Sequence, residues 1–200
     1  MTSTRYHNLI LDGAACFWTS AIIEHIPVFR SPTAARMLLA IWDEYRTRYN
    51  VKVLGYVIML DHIHLVVWSE HKEDVERFLE QCLSVASARI AAMTERAVDR
   101  GDSIACAWLA RFKARATGKS IVRVWKERGR AFPVTEPDAL RQKLDYMHAN
   151  PVRKGLVARP EDWEFSSAAW YANGSGPLGL MRKLVIAALL RGKKRPRSIV

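Results

Sequence analysis

The sequence is poor in acidic residues and in cysteine, and it contains no long apolar run. Its 200 residues include 20 Asp+Glu against 31 Lys+Arg, which gives a formal net charge of +11 at pH 7. A surplus of cations favours a polyanionic partner, with nucleic acid ahead of an acidic membrane surface. A basic surface that is only solvated is the alternative.

The three cysteines, Cys16, Cys82 and Cys106, lie far apart and form no Cys-x-x-Cys pair. An odd, scattered set argues against a disulfide framework and a structural zinc site, and it is typical of a reducing compartment. The N-terminal residues lack the charged-then-apolar pattern of a signal peptide. The apolar run Leu184 to Leu190 is too short to span a bilayer. We therefore expect a cytoplasmic protein without a membrane segment.

The apolar pattern predicts an α+β fold. Strands are expected at residues 15–23, 51–59, 62–68 and 119–125, and helices at residues 32–50, from about 73 to before 101, and 137–148. Pro151 is expected to stop the last helix, because the residue before a proline is disfavoured in helical conformation. This order is the split βαβ pattern of ferredoxin-like antiparallel sheets with helices packed on them. We expect one domain over residues 1–171, which includes an appended helix, and a C-terminal helix with a basic tail over residues 172–200.

Two histidines stand at the head of the third predicted strand. Side chains alternate between faces along a strand, so His62 and His64 project from one face. Neighbouring imidazoles on a rigid element form half of a site for a divalent metal, and such a metal can polarise a phosphoryl oxygen. The pair by itself is not specific, and it needs support from other residues.

A second pattern lies at the C-terminal end of the 137–148 helix. Tyr146 and Asn150 are four residues apart and therefore share one helical face. Tyrosine can act as a covalent nucleophile, and a carboxamide oxygen can serve as a metal ligand. On spacing alone, a tyrosine packed on the sheet and an asparagine that caps the helix are the preferred explanation, since asparagine is favoured at helix ends.

The two patterns together resemble those of the single-tyrosine HUH transposases. The match extends through Asn150-Pro151-Val152-Arg153, Gly155-Leu156-Val157, Asp162-Trp163 and Phe165-Ser166-Ser167. This second half is similar to the branch associated with repetitive extragenic palindromes (REP) and to its insertion-sequence relatives. The resemblance covers roughly residues 15 to 171.

The resemblance implies an enzyme that cuts and rejoins single-stranded DNA at the foot of a hairpin. Tyr146 would be the nucleophile and would form a 5′-phosphotyrosine intermediate. His62 and His64 would hold Mg²⁺ or Mn²⁺, and Asn150 occupies the position of a third ligand. Because a covalent ester conserves the bond energy, rejoining needs no nucleotide cofactor. Relatives include monomers and homodimers, and both remain open here.

DNA contacts are expected from a basic segment that contains no acidic residue between Ser103 and Lys126. The candidate DNA-binding residues are Arg111, Lys113, Arg115, Lys119, Arg123 and Lys126, together with Arg153 from the second pattern. Trp108, Phe112 and Trp125 interleave with them, which suggests phosphate contacts combined with base stacking. The alternative is a solvated loop between a helix and a strand.

Two further hypotheses come from other functional classes. The first is a DNA-binding regulator that descends from such an enzyme and has lost catalysis. The second is a metal-dependent phosphodiesterase acting on RNA or a small nucleotide, which would need the histidines and a water nucleophile only. A nucleotide-binding P-loop at Gly118-Lys119-Ser120 is rejected, because the earlier glycine of that motif is missing.

Overall fold

The computed structural model describes residues 9–116, 121–127 and 129–176. In this part of the chain the strands are β1 (Ala15–Ala21), β2 (Lys52–Ile58), β3 (His62–Trp68) and β4 (Arg130–Val134). They form one antiparallel sheet in the order β2-β3-β1-β4. This is the order that the split βαβ pattern predicts, and the α+β fold class is confirmed.

The helices of the described chain are α1 (Pro32–Arg48), α2 (Lys72–Asp99), α3 (Ser103–Ala114), α4 (Pro137–His148), α5 (Asn150–Arg153) and α6 (Ala168–Asn173). Helices α1, α2 and α4 lie where the apolar spacing predicts them. None of the helices in the described residues is both long and apolar enough to cross a bilayer.

The two faces of the sheet pack against different helices. Ile63 and Leu65 of β3 belong to a core shared with α1 and α2. Val66 of the same strand belongs to a second core, to which α4 contributes Leu144 and Met147. Because side chains alternate along a strand, the face that carries Val66 also carries the two histidines of β3. Helix α4 therefore covers the histidine face.

The strand expected at residues 119–125 is wrong for residues 121–125, and residues 119–120 lie outside the described residues. Residues 121–125 form no ladder, and Trp125 makes an isolated bridge with Ile22 just beyond β1. The segment crosses the end of β1, where the N–H of Ile23 donates to the carbonyl of Val124 at 2.8 Å. The fourth strand is β4, whose five residues include Pro133. Proline is tolerated there because β4 is an edge strand.

Helix α3 occupies a segment for which the sequence suggested only a basic stretch or a loop. Asp102 caps it, because its side chain accepts hydrogen bonds from the backbone N–H groups of Ile104 and Ala105. Its buried side chains are Ala105, Leu109 and Phe112, which recur at helical spacing.

Pro151 does not end the helical path of the chain. Helix α4 ends at His148 as expected, but Ala149 keeps helical backbone angles and leads directly into α5. Pro151 lies in the first turn of α5, where a missing N–H is tolerated. The domain division at residue 171 stays a prediction, and residues 177–200 of the predicted tail lie outside the described residues.

Candidate active site

His62 and His64 open β3 and face the same side of the sheet. Their rings meet edge to face, with centroids 5.0 Å apart. His64 is 7% exposed, and its ring stacks on Phe17 of β1 at 5.7 Å. Burial, and then the repulsion of His62, lower the pKa of His64 to about 4. His64 is therefore neutral near pH 7, which is the form that binds a metal.

Asp61 holds the first histidine in place from the turn before β3. One carboxylate oxygen lies 2.6 Å from Nδ1 of His62, and the other lies 2.7 Å from Nδ1 of His25. Burial would raise the pKa of Asp61, but the hydrogen bonds from His62 and His25 outweigh it and hold that pKa below its usual value. Because Nδ1 of His62 is engaged, Nε2 is the nitrogen available to a metal.

Tyr146 lies on the α4 helix directly over this face. Its ring centroid is 6.0 Å from that of His64, and its side chain is 47% exposed. The guanidinium carbon of Arg153 lies 5.2 Å from the centre of the tyrosine ring. A half-exposed phenol beside the imidazole of His64 is accessible to a substrate that approaches from solvent.

Asn150 lies one turn after Tyr146 and is buried. Its side-chain Nδ2 has no hydrogen-bond partner, and neither does the buried Nδ1 of His64. Ala149 occupies the C-cap position of α4 and Asn150 is the first residue of α5, so Asn150 is not the cap of α4. An unpartnered buried amide nitrogen is costly, but a cation does not satisfy it. The oxygen of the same amide is a ligand that Mg²⁺ and Mn²⁺ accept.

The donor set fits a divalent cation held by two imidazoles and one amide. Within the described residues no cluster of three His, Cys, Asp or Glu side chains could hold a metal. The amide of Asn150 would therefore have to supply the third protein ligand. Such a cation would polarise a phosphoryl oxygen.

Hydrogen bonds fasten α4 to the edge of β2 behind the site. Nε2 of His148 lies 2.7 Å from Oγ of Ser167, and that oxygen also accepts from the backbone N–H of Tyr56 at 2.9 Å. The hydroxyl of Tyr171 donates to the carbonyl of Leu54 at 2.5 Å. Burial lowers the pKa of His148 to about 4, so this contact is made by a neutral ring.

The predicted DNA-binding residues fall into separate groups. Nε of Arg115 lies 3.1 Å, and Nε of Arg111 3.7 Å, from the carboxylate oxygens of Glu24. Arg123 donates to the backbone carbonyls of Trp125 and Lys126. Lys113 and Lys126 are exposed, and Lys119 lies outside the described residues.

The expected base stacking is wrong for Phe112 and Trp125, and it stays a prediction for Trp108. Phe112 is fully buried, and Trp125 is 6% exposed with its indole N–H donated to the carbonyl of Leu83. Trp108 packs partly buried against the same core. Phe112 and Trp125 stabilise the packing of α3 and of residues 121–127, so base stacking is not their role.

Two cations near Tyr146 are absent from the sequence-based set. Lys143 lies on α4 with its ammonium over the rings of Phe17 and Phe132. Arg130 of β4 pairs with Thr19, which in turn pairs with His64, so all three share a face. The three-residue spacing between Lys143 and Tyr146 on one helix could have placed Lys143 near the site from the sequence. The position of Arg130 depends on the pairing of β4 with β1, which the sequence does not show.

Comparisons with known proteins show the family of the chain and a similar fold. Residues 22–127 match the family described as "Transposase IS200 like". A solved REP-associated tyrosine transposase bound to a REP hairpin has a similar fold, with a TM-score of 0.54, 15% identity, and coverage of 91% of this chain and 96% of that one. A candidate transposase from Deinococcus radiodurans R1 gives a TM-score of 0.42 and 13% identity over 74% of this chain and 98% of the other. Curated protein sequences give no match.

Proposed function

Because the chain belongs to the IS200-like transposase family, we propose that it cuts and rejoins single-stranded DNA beside hairpins through a 5′-phosphotyrosine on Tyr146. His62, His64 and Asn150 are the proposed ligands of Mg²⁺ or Mn²⁺. The family membership supports a DNA-cleaving transposase in general. The single-stranded substrate, the metal and the covalent intermediate are the finer parts of the proposal.

The contact between Tyr146 and His64 is the observation that carries the proposal. A nucleophile and a metal ligand must reach the same phosphate, and their ring centroids are 6.0 Å apart. The two residues are 82 positions apart in the sequence, and α4 could equally have packed on the opposite face. Its packing on the histidine face gives the sequence resemblance a geometric basis.

Each proposed residue has a defined task. The oxygen of Tyr146 attacks the phosphorus, the bond from phosphorus to the 3′ oxygen breaks, and the released oxygen takes up a proton to become a 3′-hydroxyl. A cation bound by the two imidazoles and Asn150 would draw negative charge from the phosphate. Rejoining reverses the step, with a 3′-hydroxyl attacking and the tyrosine oxygen leaving.

DNA with a hairpin is the proposed partner. The similar REP-associated structure was solved with a REP hairpin, and this chain carries a net charge of +11. Arg111, Lys113, Arg115, Arg123, Lys126 and Arg153 remain candidate contacts. The exposed cations among them would meet backbone phosphates, and the rings of Phe112 and Trp125 beside them are buried.

The first prediction concerns the nucleophile. A labelled oligonucleotide that carries a hairpin and a single-stranded flank, incubated with Mn²⁺, should give a covalent protein–DNA adduct on a denaturing gel. Tyr146→Phe should lower the adduct yield by roughly a thousandfold or more, because no hydroxyl remains to form the ester. Tyr49→Phe, which alters a tyrosine beyond the end of α1, is the matched control and should behave as wild type.

The same experiment separates the competing functions. Hairpin binding without any adduct under all metal conditions would favour the non-catalytic regulator. Cleavage that persists in Tyr146→Phe would favour a water nucleophile and the phosphodiesterase hypothesis. Either result would overturn the proposed role of Tyr146.

A further inference from the structure

A continuous line of ring contacts crosses the candidate active site. The ammonium of Lys143 lies 5.1 Å from the ring centre of Phe17, whose ring stacks on His64 at 5.7 Å. His64 meets Tyr146 at 6.0 Å, and Arg153 lies 5.2 Å from the ring of Tyr146. The line therefore has a cation at each end, with the proposed metal ligand and nucleophile between them.

The same residues form one stripe along α4 and α5. Lys143, Tyr146, Asn150 and Arg153 follow each other at spacings of three, four and three residues. With 3.6 residues per turn they fall within a narrow arc of the helix, and the two cations are about 15 Å apart along its axis. The path is continuous, because Ala149 between the two helices keeps helical backbone angles.

The charges of these two cations are uncompensated within the described chain. Neither Lys143 nor Arg153 forms an ion pair with a carboxylate among those residues, whereas Arg111 and Arg115 share Glu24. The ring contacts hold the two cations in place without neutralising them. A cation fixed beside a nucleophile and lacking a counter-ion is suited to bind an anion.

We propose that Lys143 and Arg153 bind two backbone phosphates on opposite sides of the phosphate that Tyr146 attacks. The substrate strand would then run along α4 and α5, with the scissile phosphate between the two cations. Arg130 lies on the same sheet face as His64. This inference rests on the proposed role of Tyr146 for the identity of the central phosphate, but strand binding can be tested without cleavage.

The first test measures the salt dependence of binding. Hairpin DNA with a single-stranded flank is titrated with Tyr146→Phe protein in EDTA, so that neither metal nor chemistry contributes. Adding Lys143→Met should reduce the slope of log K against log salt by about 0.7, the loss of one phosphate contact on a single strand. Lys143→Arg, which keeps the charge, should retain the slope.

Arg141→Met is the matched control. Arg141 also lies on α4, is exposed and pairs with Asp138 at 3.6 Å, and it points away from the stripe because it is two residues from Lys143. It should leave the slope unchanged. Thermal unfolding of Lys143→Met should coincide with that of the parent, which separates lost binding from lost folding.

The second test locates the two phosphates. Single linkages of the flank are replaced by neutral methylphosphonates, and each replacement is titrated with the parent, Lys143→Met and Arg153→Met. Replacement of one linkage should weaken DNA binding by the parent but not by Lys143→Met, and this linkage should lie on one side of the cut. The linkage whose replacement does not weaken binding by Arg153→Met should lie on the other side. An unchanged salt slope in Lys143→Met would overturn the proposal. So would a result in which both variants become insensitive to replaced linkages on the same side of the cut. A covalent adduct formed by Tyr146→Phe protein when Mn²⁺ is supplied would instead contradict the proposed function.

Discussion

At the scale of single residues, Asp61 determines which nitrogen of His62 can bind a metal. Its carboxylate engages Nδ1 of His62 and Nδ1 of His25 at once. His25 reaches it from a left-handed backbone conformation, with φ of 55°, and Glu24 beside it has φ of 51°. Each such residue costs on the order of 1–3 kcal/mol, so the surrounding contacts must hold this strained turn in place. The strained turn therefore lies where it helps to orient a proposed metal ligand.

Asp61→Ala should therefore weaken Mn²⁺ binding by about 10–100-fold, as is usual when the partner of a metal-bound histidine is removed. Asp61→Asn should cost less, because its amide oxygen can still accept from His62. Isothermal titration with Mn²⁺ measures both. Asp43→Ala removes a carboxylate from an exposed position on α1, where Asp43 pairs with Arg46. This control should not change the affinity for Mn²⁺. Equal affinities for Asp61→Ala and wild type would show that Asp61 does not position His62.

At the scale of elements, Gly55 sets how closely α4 approaches the sheet. A Cβ atom at this position of β2 would overlap the side-chain ends of Leu144 and Met147. Those two residues flank Tyr146 on the helix, on its buried side. The close approach allowed by a missing side chain thus brings the tyrosine to His64.

Gly55→Ala should push α4 outward and reduce adduct formation more than it reduces DNA binding. Overpacking of this kind costs about 1–3 kcal/mol of unfolding free energy, which denaturant titration would detect. Gly176→Ala is the matched control, because a Cβ there meets only an ordinary contact with Trp170 at 3.5 Å. A Gly55→Ala protein with wild-type stability and adduct yield would contradict the role of this approach.

The elements that could be predicted from sequence are those with a strong local pattern. The apolar spacing of α1, α2 and α4 and the β-branched run of β3 each point to one conformation. Residues 121–125 are also apolar and β-branched, yet Ile121 is 80% exposed and the ladder lies at Arg130–Val134 instead. Strand pairing is decided by neighbours distant in the sequence, and a short strand containing Pro133 has almost no local signal.

The same distinction holds within the site. The paired histidines and the spacing of Tyr146 and Asn150 are local patterns, and the structure brings Tyr146 to the histidine face. The contact of His25 with Asp61 joins residues 36 positions apart and has no local signature. The burial of Trp125 likewise depends on α2, whose Leu83 carbonyl accepts its N–H, so a local reading of that ring as a stacking platform failed.

At the scale of the whole molecule, not every cation behind the net charge of +11 is unpaired. Two arginines in the α3 region, Arg111 and Arg115, share the carboxylate of Glu24. Glu24 partly compensates the charges of Arg111 and Arg115. Surface ion pairs of this kind contribute only about 0–1 kcal/mol each to stability. A DNA phosphate can therefore compete with Glu24 for these arginines. Removing the charge of Glu24 therefore tests whether α3 contacts DNA.

Glu24→Gln should raise the affinity for hairpin DNA by about 3–10-fold at low salt, because it frees both arginines for phosphates. The slope of log K against log salt should become steeper by up to about 1.4 if both reach a single strand, and the affinities should converge at high salt. Glu164→Gln is the matched control, since it frees Arg36 of α1 from its 2.9 Å ion pair and raises the net charge by the same unit. An equal gain in both variants would mean that binding responds to overall charge alone, and α3 would then have no special place on the DNA surface.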